Sequence, residues 1–218
     1  MTDREHDSGD VAAAICAGSA LFNEGHALAA HEPWEAAWLP LDADGDERET
    51  ADERLLHGLI ASAAATHHAR SGNWSGAVGC AGNAVEYLDA IVPDHRDVDV
   101  GSVIRWCRRL AVDPETIERA SPPPVRIDGE SPDFGDLDFT AALLAAPALA
   151  GAIAVGDEET IETAASLART ERGTGRTRFA ELLFAFLREP ETRPQVAARL
   201  ADHVELADRK RRDVDDLF

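Results

Sequence analysis

Apolar residues recur along most of this chain at spacings of three and four, the repeat that lines one side of an α-helix. Val11, Ile15, Gly18, Leu21 and Phe22 keep that spacing from Asp10 to Glu24, and Gly25 interrupts it. Residues 1–9 carry no such pattern and read as a loose tail. A second helix is predicted over about 27–39. Pro33 lies inside it and either kinks the helix or stands in a first turn that begins near His31. Thr50 followed by Glu53 spells a capping box that opens a third helix, Ala51 to about Arg70. Leu56, Leu59, Ile60, Ala63, Ala64 and His67 form its inner side. Ser71, Gly72 and Asn73 turn the chain into a fourth helix, about Trp74 to Ile91, which offers Ala77, Ala81, Ala84, Val85 and Leu88. A fifth covers about 100–111 with Val103, Ile104, Trp106, Cys107 and Leu110 inward. Asp113 then caps a short turn with Pro114 in first position.

No strand pattern competes with these helices; Val125–Ile127 reads as extended but stands alone. Residues 121–136, SPPPVRIDGESPDFGD, hold four prolines and two glycines, which excludes helix and divides the chain. Helical signals resume in the alanine-rich run Ala141 to Val155. Asp157 caps another helix through Arg169, a further one covers about Thr177 to Arg188, and a last one starts near Pro194. The expected organisation is a helical domain over 1–111, a Pro/Gly-rich linker over 112–137 and a C-terminal helical region over 138–218. Packing, or a surface for self-association into a homo-oligomer, is the role expected of that last region. The expected fold class is all-α. Phe22–Asn23–Glu24–Gly25 with Ala30 echoes Arg70–Ser71–Gly72–Asn73 with Ala77: helix, glycine turn, then a helix with a small residue five places on. Such spacing lets antiparallel helices approach closely, as in tetratricopeptide-type hairpins, so the architecture expected is a bundle of antiparallel helical hairpins with a C-terminal helical extension.

Charge adds a cellular setting. Forty-one acidic residues stand against 21 basic ones, a formal charge of −20. Lys210 is the single lysine, the other basic residues being arginines. An acidic, lysine-poor composition is similar to that of salt-adapted haloarchaeal proteins, in which high salt screens self-repulsion; an acidic protein with a basic partner is the rival reading. Either way the charge opposes binding to a nucleic-acid backbone. Cys16, Cys80 and Cys107 are odd in number and far apart, so they read as buried thiols of a reducing compartment. The polar N-terminus is neither signal nor anchor, and the apolar run at 141–155 is too short to span a bilayer. A cytoplasmic protein with no membrane partner is expected.

Candidate chemistry concentrates in residues 21–38, LFNEGHALAAHEPWEAAW. On a helix, Leu28, His31, Trp34, Glu35 and Trp38 fall on one stripe. His31 and Glu35 are i, i+4 neighbours, and His67 of the third helix joins them if the two helices pack antiparallel. Two imidazoles and a carboxylate suffice for a zinc or iron site with open positions. Trp34 and Trp38 would supply an aromatic wall for a small ligand, with His31 and Glu35 as polar anchors. The acidic stretch Leu41 to Glu49 places Asp42, Asp44, Asp46 and Glu53 at calcium-loop positions, but the sharp-turn position falls on Glu47 and the template fails. No metalloprotease, nucleophile-elbow, P-loop or dinucleotide signature is present.

The run L-F-N-x-G (Leu21 to Gly25), A-H-E-x-W-E-x-x-W (Ala30 to Trp38), L-x-G-L-I (Leu56 to Ile60), His67 and G-N-x-x-G-A (Gly72 to Ala77) resembles the family called domain of unknown function 309. The resemblance covers about residues 20–90. It implies a small all-helical protein of the bacterial and archaeal type and no established activity. The chain departs from it at His57 and Ala61, where the family usually carries glutamine. Two functional readings follow. The first is a non-enzymatic binding or interaction module built round a His–Glu–Trp seam of His31, Trp34, Glu35, Trp38 and His67, with a protein, peptide or small molecule as partner. The second is a metal-dependent hydrolase or other metal-binding protein that uses His31, Glu35 and His67, with Glu32 as acid–base candidate.

Overall fold

Glycine at two turns and alanine five residues later explain how the N-terminal helices pair. The computed structural model describes residues 2–42, 49–174 and 176–215. Helix α1 (Thr2–Asn23) turns into α2 (Ala27–Asp42), and α3 (Ala51–Arg70) into α4 (Trp74–Asp89). Both turns end their first helix in the same way. Gly25 at φ 93° and Gly72 at φ 70° adopt the left-handed backbone that favours glycine. The amides of His26 and Asn73 reach back to Leu21 O at 2.8 Å and His68 O at 2.9 Å, and those of Gly25 and Gly72 to Phe22 O and Ala69 O. This is the Schellman arrangement, and it satisfies carbonyls that the helix end would otherwise leave unpaired. Ala30 and Ala77, each five residues after its glycine, are fully buried, so the expected hairpins are present.

The two hairpins meet through α2 and α3, and α4 packs on α5 (Val100–Val112). Glycines set the closest approaches. A Cβ on Gly18 would lie 2.3 Å from Trp34 Nε1, and one on Gly58 would lie 2.4 Å from Leu88 Cδ2. The capping box at α3 forms as expected: Glu53 N donates to Thr50 Oγ1 at 3.2 Å, and Thr50 N donates to the Glu53 carboxylate. Val103, Ile104, Trp106, Cys107 and Leu110 of α5 are all buried. Among the described residues there is no strand, only isolated bridges at Ile127, and the all-α expectation holds.

Several expectations are corrected. The backbone is helical from Thr2, so the segment read as a tail continues α1. Helix α2 runs through both Pro33 and Pro40 and begins at Ala27 rather than near His31. Leu28 is 58% exposed and does not share the inner face. Asp113 precedes the short 3-10 turn Pro114–Glu118 without capping it, its carboxylate accepting instead from Arg119. The calcium-loop candidates Asp44 and Asp46 lie outside the described residues, and Glu53 serves the capping box.

The chain divides into two compact units, Met1–Ala141 and Ala142–Phe218. Residues 112–137 fall within the first. Helix α6 (Phe139–Ile153) opens where Asp138 Oδ1 accepts from Ala141 N at 2.8 Å. In the second unit, α7 (Glu158–Glu171), α8 (Arg178–Arg188) and α9 (Arg193–Asp215) pack on one another, with Ile161, Leu183, Phe186, Leu187 and Leu200 fully buried. Asp157 caps α7 as expected, accepting from Thr160 N at 2.9 Å. No helix among the described residues is long and apolar enough to cross a membrane.

Candidate functional site

The stripe expected on α2 is split by the helix's own geometry. At about 100° per residue, Ala27 and Ala30 stand within about 40° of Trp34, whereas His31 lies about 60°, Glu35 about 100° and Leu28 about 120° round from it. Burial follows that order. Trp34 is 1% exposed and lies in the core, its ring centroid 6.5 Å from that of Phe22. Its indole N–H donates to Ile15 O at 3.4 Å, a carbonyl of α1. His31 and Glu35 sit on the flank, with Nδ1 3.4 Å from Oε2 and side chains 30% and 47% exposed. Glu32 is exposed, and His67 is half-buried with its ring 5.9 Å from that of His68. Among the described residues no three His, Cys, Asp or Glu side chains are grouped to hold a metal ion, so His31, Glu35 and His67 are not assembled as a ligand set.

Trp38 takes part in a different assembly. Its ring centroid lies 4.4 Å from that of His57, and His57 stacks in turn on Tyr87 at 4.3 Å. The three rings come from α2, α3 and α4 and form a half-buried edge where the hairpins meet. Glu49 approaches His57 Nδ1 at 3.3 Å and Arg54 at 3.7 Å. Burial, then the Glu49 and Glu86 carboxylates, push the Tyr87 hydroxyl above its ordinary pKa. Trp38 Nε1 is buried with no hydrogen-bond partner among the described residues. Sequence reasoning took Trp38 but not His57 or Tyr87. The rings come from three separate helices, and no local periodicity links them.

A second cluster, also unforeseen, ties α3 to the turn before α5. Asp52 Oδ1 is 2.7 Å from His95 Nε2 and accepts from Arg96 Nε at 2.9 Å, while its second oxygen accepts from Arg96 Nη2. Arg96 and Asp97 hold left-handed backbone, φ 55° and 60°, a state uncommon outside glycine and better tolerated by aspartate than by arginine. The Arg96 hydrogen bond, helped by His95 and opposed by burial, holds the Asp52 carboxyl below its ordinary range. A carboxyl whose folded pKa is depressed stabilises the fold above its unfolded pKa and loses that contribution as pH falls through the folded value. Asp52→Asn is therefore expected to lower stability by about 1–3 kcal/mol at neutral pH. The gap between the two proteins should close as pH falls below about 4. Urea unfolding of both across that range checks it, and a gap independent of pH refutes it.

Asn23, the centre of the L-F-N-x-G motif, has a specific task. Asp128 (φ 50°) and Gly129 (φ 78°) form a two-residue turn between Ile127 and Glu130, which exchange backbone hydrogen bonds of 2.9 and 3.0 Å. Two residues further out on each arm stand Val125 and Pro132. Proline has no N–H to continue the ladder. The Asn23 carboxamide takes the vacant place. Its Oδ1 accepts from Val125 N at 2.8 Å, and its Nδ2 donates to Val125 O and Pro132 O, each at 3.0 Å. Phe134, beyond that arm, stacks on His26 with centroids 6.5 Å apart. The Asp-Gly pair was the signal that would have revealed this hairpin.

The three thiols are unpaired. Burial raises each above the ordinary thiol pKa, that of Cys107 to about 11. None has the lowered pKa of a nucleophile.

Residues 15–80 match the sequence model of a family described as Domain of unknown function (DUF309). The match covers the glycine turns, Trp34 and Gly58, and supports the resemblance drawn from the same motifs. No curated protein matches the chain.

Proposed function

Since residues 15–80 belong to the DUF309 family, whose name assigns no activity, we propose that this chain is a non-enzymatic helical module that binds a protein or peptide partner. One observation carries the reading. The aromatic and polar residues of α2 separate into a core tryptophan, a solvent-facing His31–Glu35 pair and the half-buried Trp38–His57–Tyr87 stack, an arrangement that supports a binding face. Leu39, next to Trp38 and 54% exposed, adds apolar surface. Aromatic side chains with one polar edge are favoured anchors at such faces. Panning a displayed peptide library is the test. Enriched sequences are expected that bind the native chain and lose binding to His57→Ala and Leu39→Ser. Enrichment indifferent to both changes counts against this face.

The metal-dependent reading rests on the 3.4 Å approach of His31 to Glu35. Elemental analysis of protein purified without an affinity tag separates the two proposals. Metal well below one ion per chain is expected, and one ion per chain that disappears in His31→Ala would overturn the binding-module reading. We also propose a cytoplasmic, high-salt setting, supported by the charge of −20, the single lysine and the unpaired thiols.

A further inference from the structure

The second unit carries a groove whose charge opposes that of the chain as a whole. It lies between the start of α8 and one side of α9, encloses about 820 Å³, and has Arg176, Arg178, Arg199 and Lys210 on its walls. The same lining holds two carboxylates, Glu171 and Glu181. Acidic residues outnumber basic ones 41 to 21 over the whole chain, and here that ratio is inverted. Four cations against two carboxylates leave a formal excess of two positive charges. No ion pair within the described residues neutralises these four cations, whereas Arg209 and Arg211 nearby are paired with Glu205 and Asp208. Glu181 is already engaged, accepting from Thr177 Oγ1 at 2.6 Å.

The groove also has an apolar floor. Phe179 and Leu182 are almost fully buried and Leu206 is 38% exposed. His203 meets the Phe179 ring edge-on at 6.4 Å. Arg199 and Lys210 are eleven residues apart on α9, so at 1.5 Å per residue they stand about 16 Å apart along the helix. One small inorganic ion would not reach both. The volume lies in the range of small-molecule sites. The apolar floor calls for a ligand with an apolar or aromatic body, and guanidinium and ammonium groups are the usual partners of phosphate oxygens. A phosphate monoester, with a charge near −2 at neutral pH, matches the excess in the groove. Glu171 Oε2, buried with no hydrogen-bond partner among the described residues, is an acceptor left for a hydroxyl or amino group on the same molecule.

We propose that this groove binds a small organic phosphate, one phosphate monoester on an aromatic or apolar body of nucleotide size. The residues lie outside the family match, so the site is a property of this chain's own C-terminal unit and is independent of the binding face on α2.

Lys210, as the single lysine, gives a site-specific readout. The full chain is treated with an amine-acylating reagent at constant ionic strength, and modification of Lys210 is followed by mass spectrometry with the N-terminal amine as reference. The probes are adenosine 5′-monophosphate, adenosine and inorganic phosphate. At ten times its Kd, adenosine monophosphate is expected to slow Lys210 acylation about tenfold, with neither of the others protecting at the same concentration. The protection should vanish in the double variant Arg176→Gln, Arg199→Gln. Each single variant is run as well, so that unfolding of the double leaves a result. Absence of protection by the monophosphate overturns the proposal. So does equal protection by inorganic phosphate, which would mark a general ion effect, or protection that survives the arginine substitutions.

Discussion

Replacing Trp34 by alanine lowers the stability of the first unit by about 3–5 kcal/mol, the range for removing a large buried aromatic side chain. The side chain is 1% exposed, seats its indole over Gly18, and donates its N–H to Ile15 O. Truncation would leave a ring-sized void between α1 and α2 and an acceptor without its donor. Collapse of the void is resisted because Gly18 offers no side chain to fill it. The converse substitution is informative. Gly18→Ala sets a methyl group 2.3 Å from the indole nitrogen and should cost about 1–3 kcal/mol by overpacking. Combined with Trp34→Ala, Gly18→Ala should be nearly harmless, since the clash has gone; coupling of this kind is what a double-mutant cycle isolates. All four tryptophans, Trp34, Trp38, Trp74 and Trp106, lie in the first unit, so their fluorescence during urea unfolding reports that unit alone. A loss under about 1 kcal/mol for Trp34→Ala would show that the indole is not a core element, since buried aromatic truncations cost several times more.

Asn23→Ala comes second, with an expected loss of about 2–4 kcal/mol, because each buried backbone group left unpaired costs about 1–3 kcal/mol and water recovers part of that. Three groups depend on this one carboxamide: Val125 N, Val125 O and Pro132 O. Val125 is 2% exposed, which limits how well solvent replaces the amide. Asn23→Asp separates shape from chemistry. It keeps the acceptor for Val125 N but turns an oxygen toward two carbonyls, so it should be no better tolerated than alanine. Hydrogen exchange at Val125 is the direct readout, and protection unchanged in both variants would mean that the hairpin is held by other contacts.

The helices and both hairpin turns were legible in the sequence because their determinants are local. Thr50 and Glu53 are three residues apart, and each glycine turn is read from a few neighbouring positions. The candidate site was legible only in part. Spacing alone put His31, Trp34 and Glu35 on one stripe, but a stripe does not reveal which of its edges faces the core, and that is decided by Gly18, on another helix. The stacking of His57 and Tyr87 on Trp38 is not legible for the same reason, nor is the task of Asn23, whose partners lie more than a hundred residues away. The basic groove was hidden by averaging: its four cations are spread over residues 176–210 of a strongly acidic chain, and only folding gathers them.

The distance in sequence between Asn23 and its partners has a consequence in time. In the first unit each helix packs mainly on the next along the chain, α1 on α2, α2 on α3, α3 on α4 and α4 on α5, and such short-range topology favours rapid folding. The Asn23 contacts span 102 and 109 residues. Closing so long a loop carries an entropic penalty that grows with its length and is offset only when the whole set of contacts forms together. A two-residue hairpin such as that at Asp128–Gly129 is at best marginally stable by itself, and it gains its partners from α1 and from the turn before α5. Such a topology favours the helical hairpins assembling before the proline-bearing segment docks, so Asn23→Ala is expected to speed unfolding more than it slows folding, which stopped-flow kinetics in urea would check.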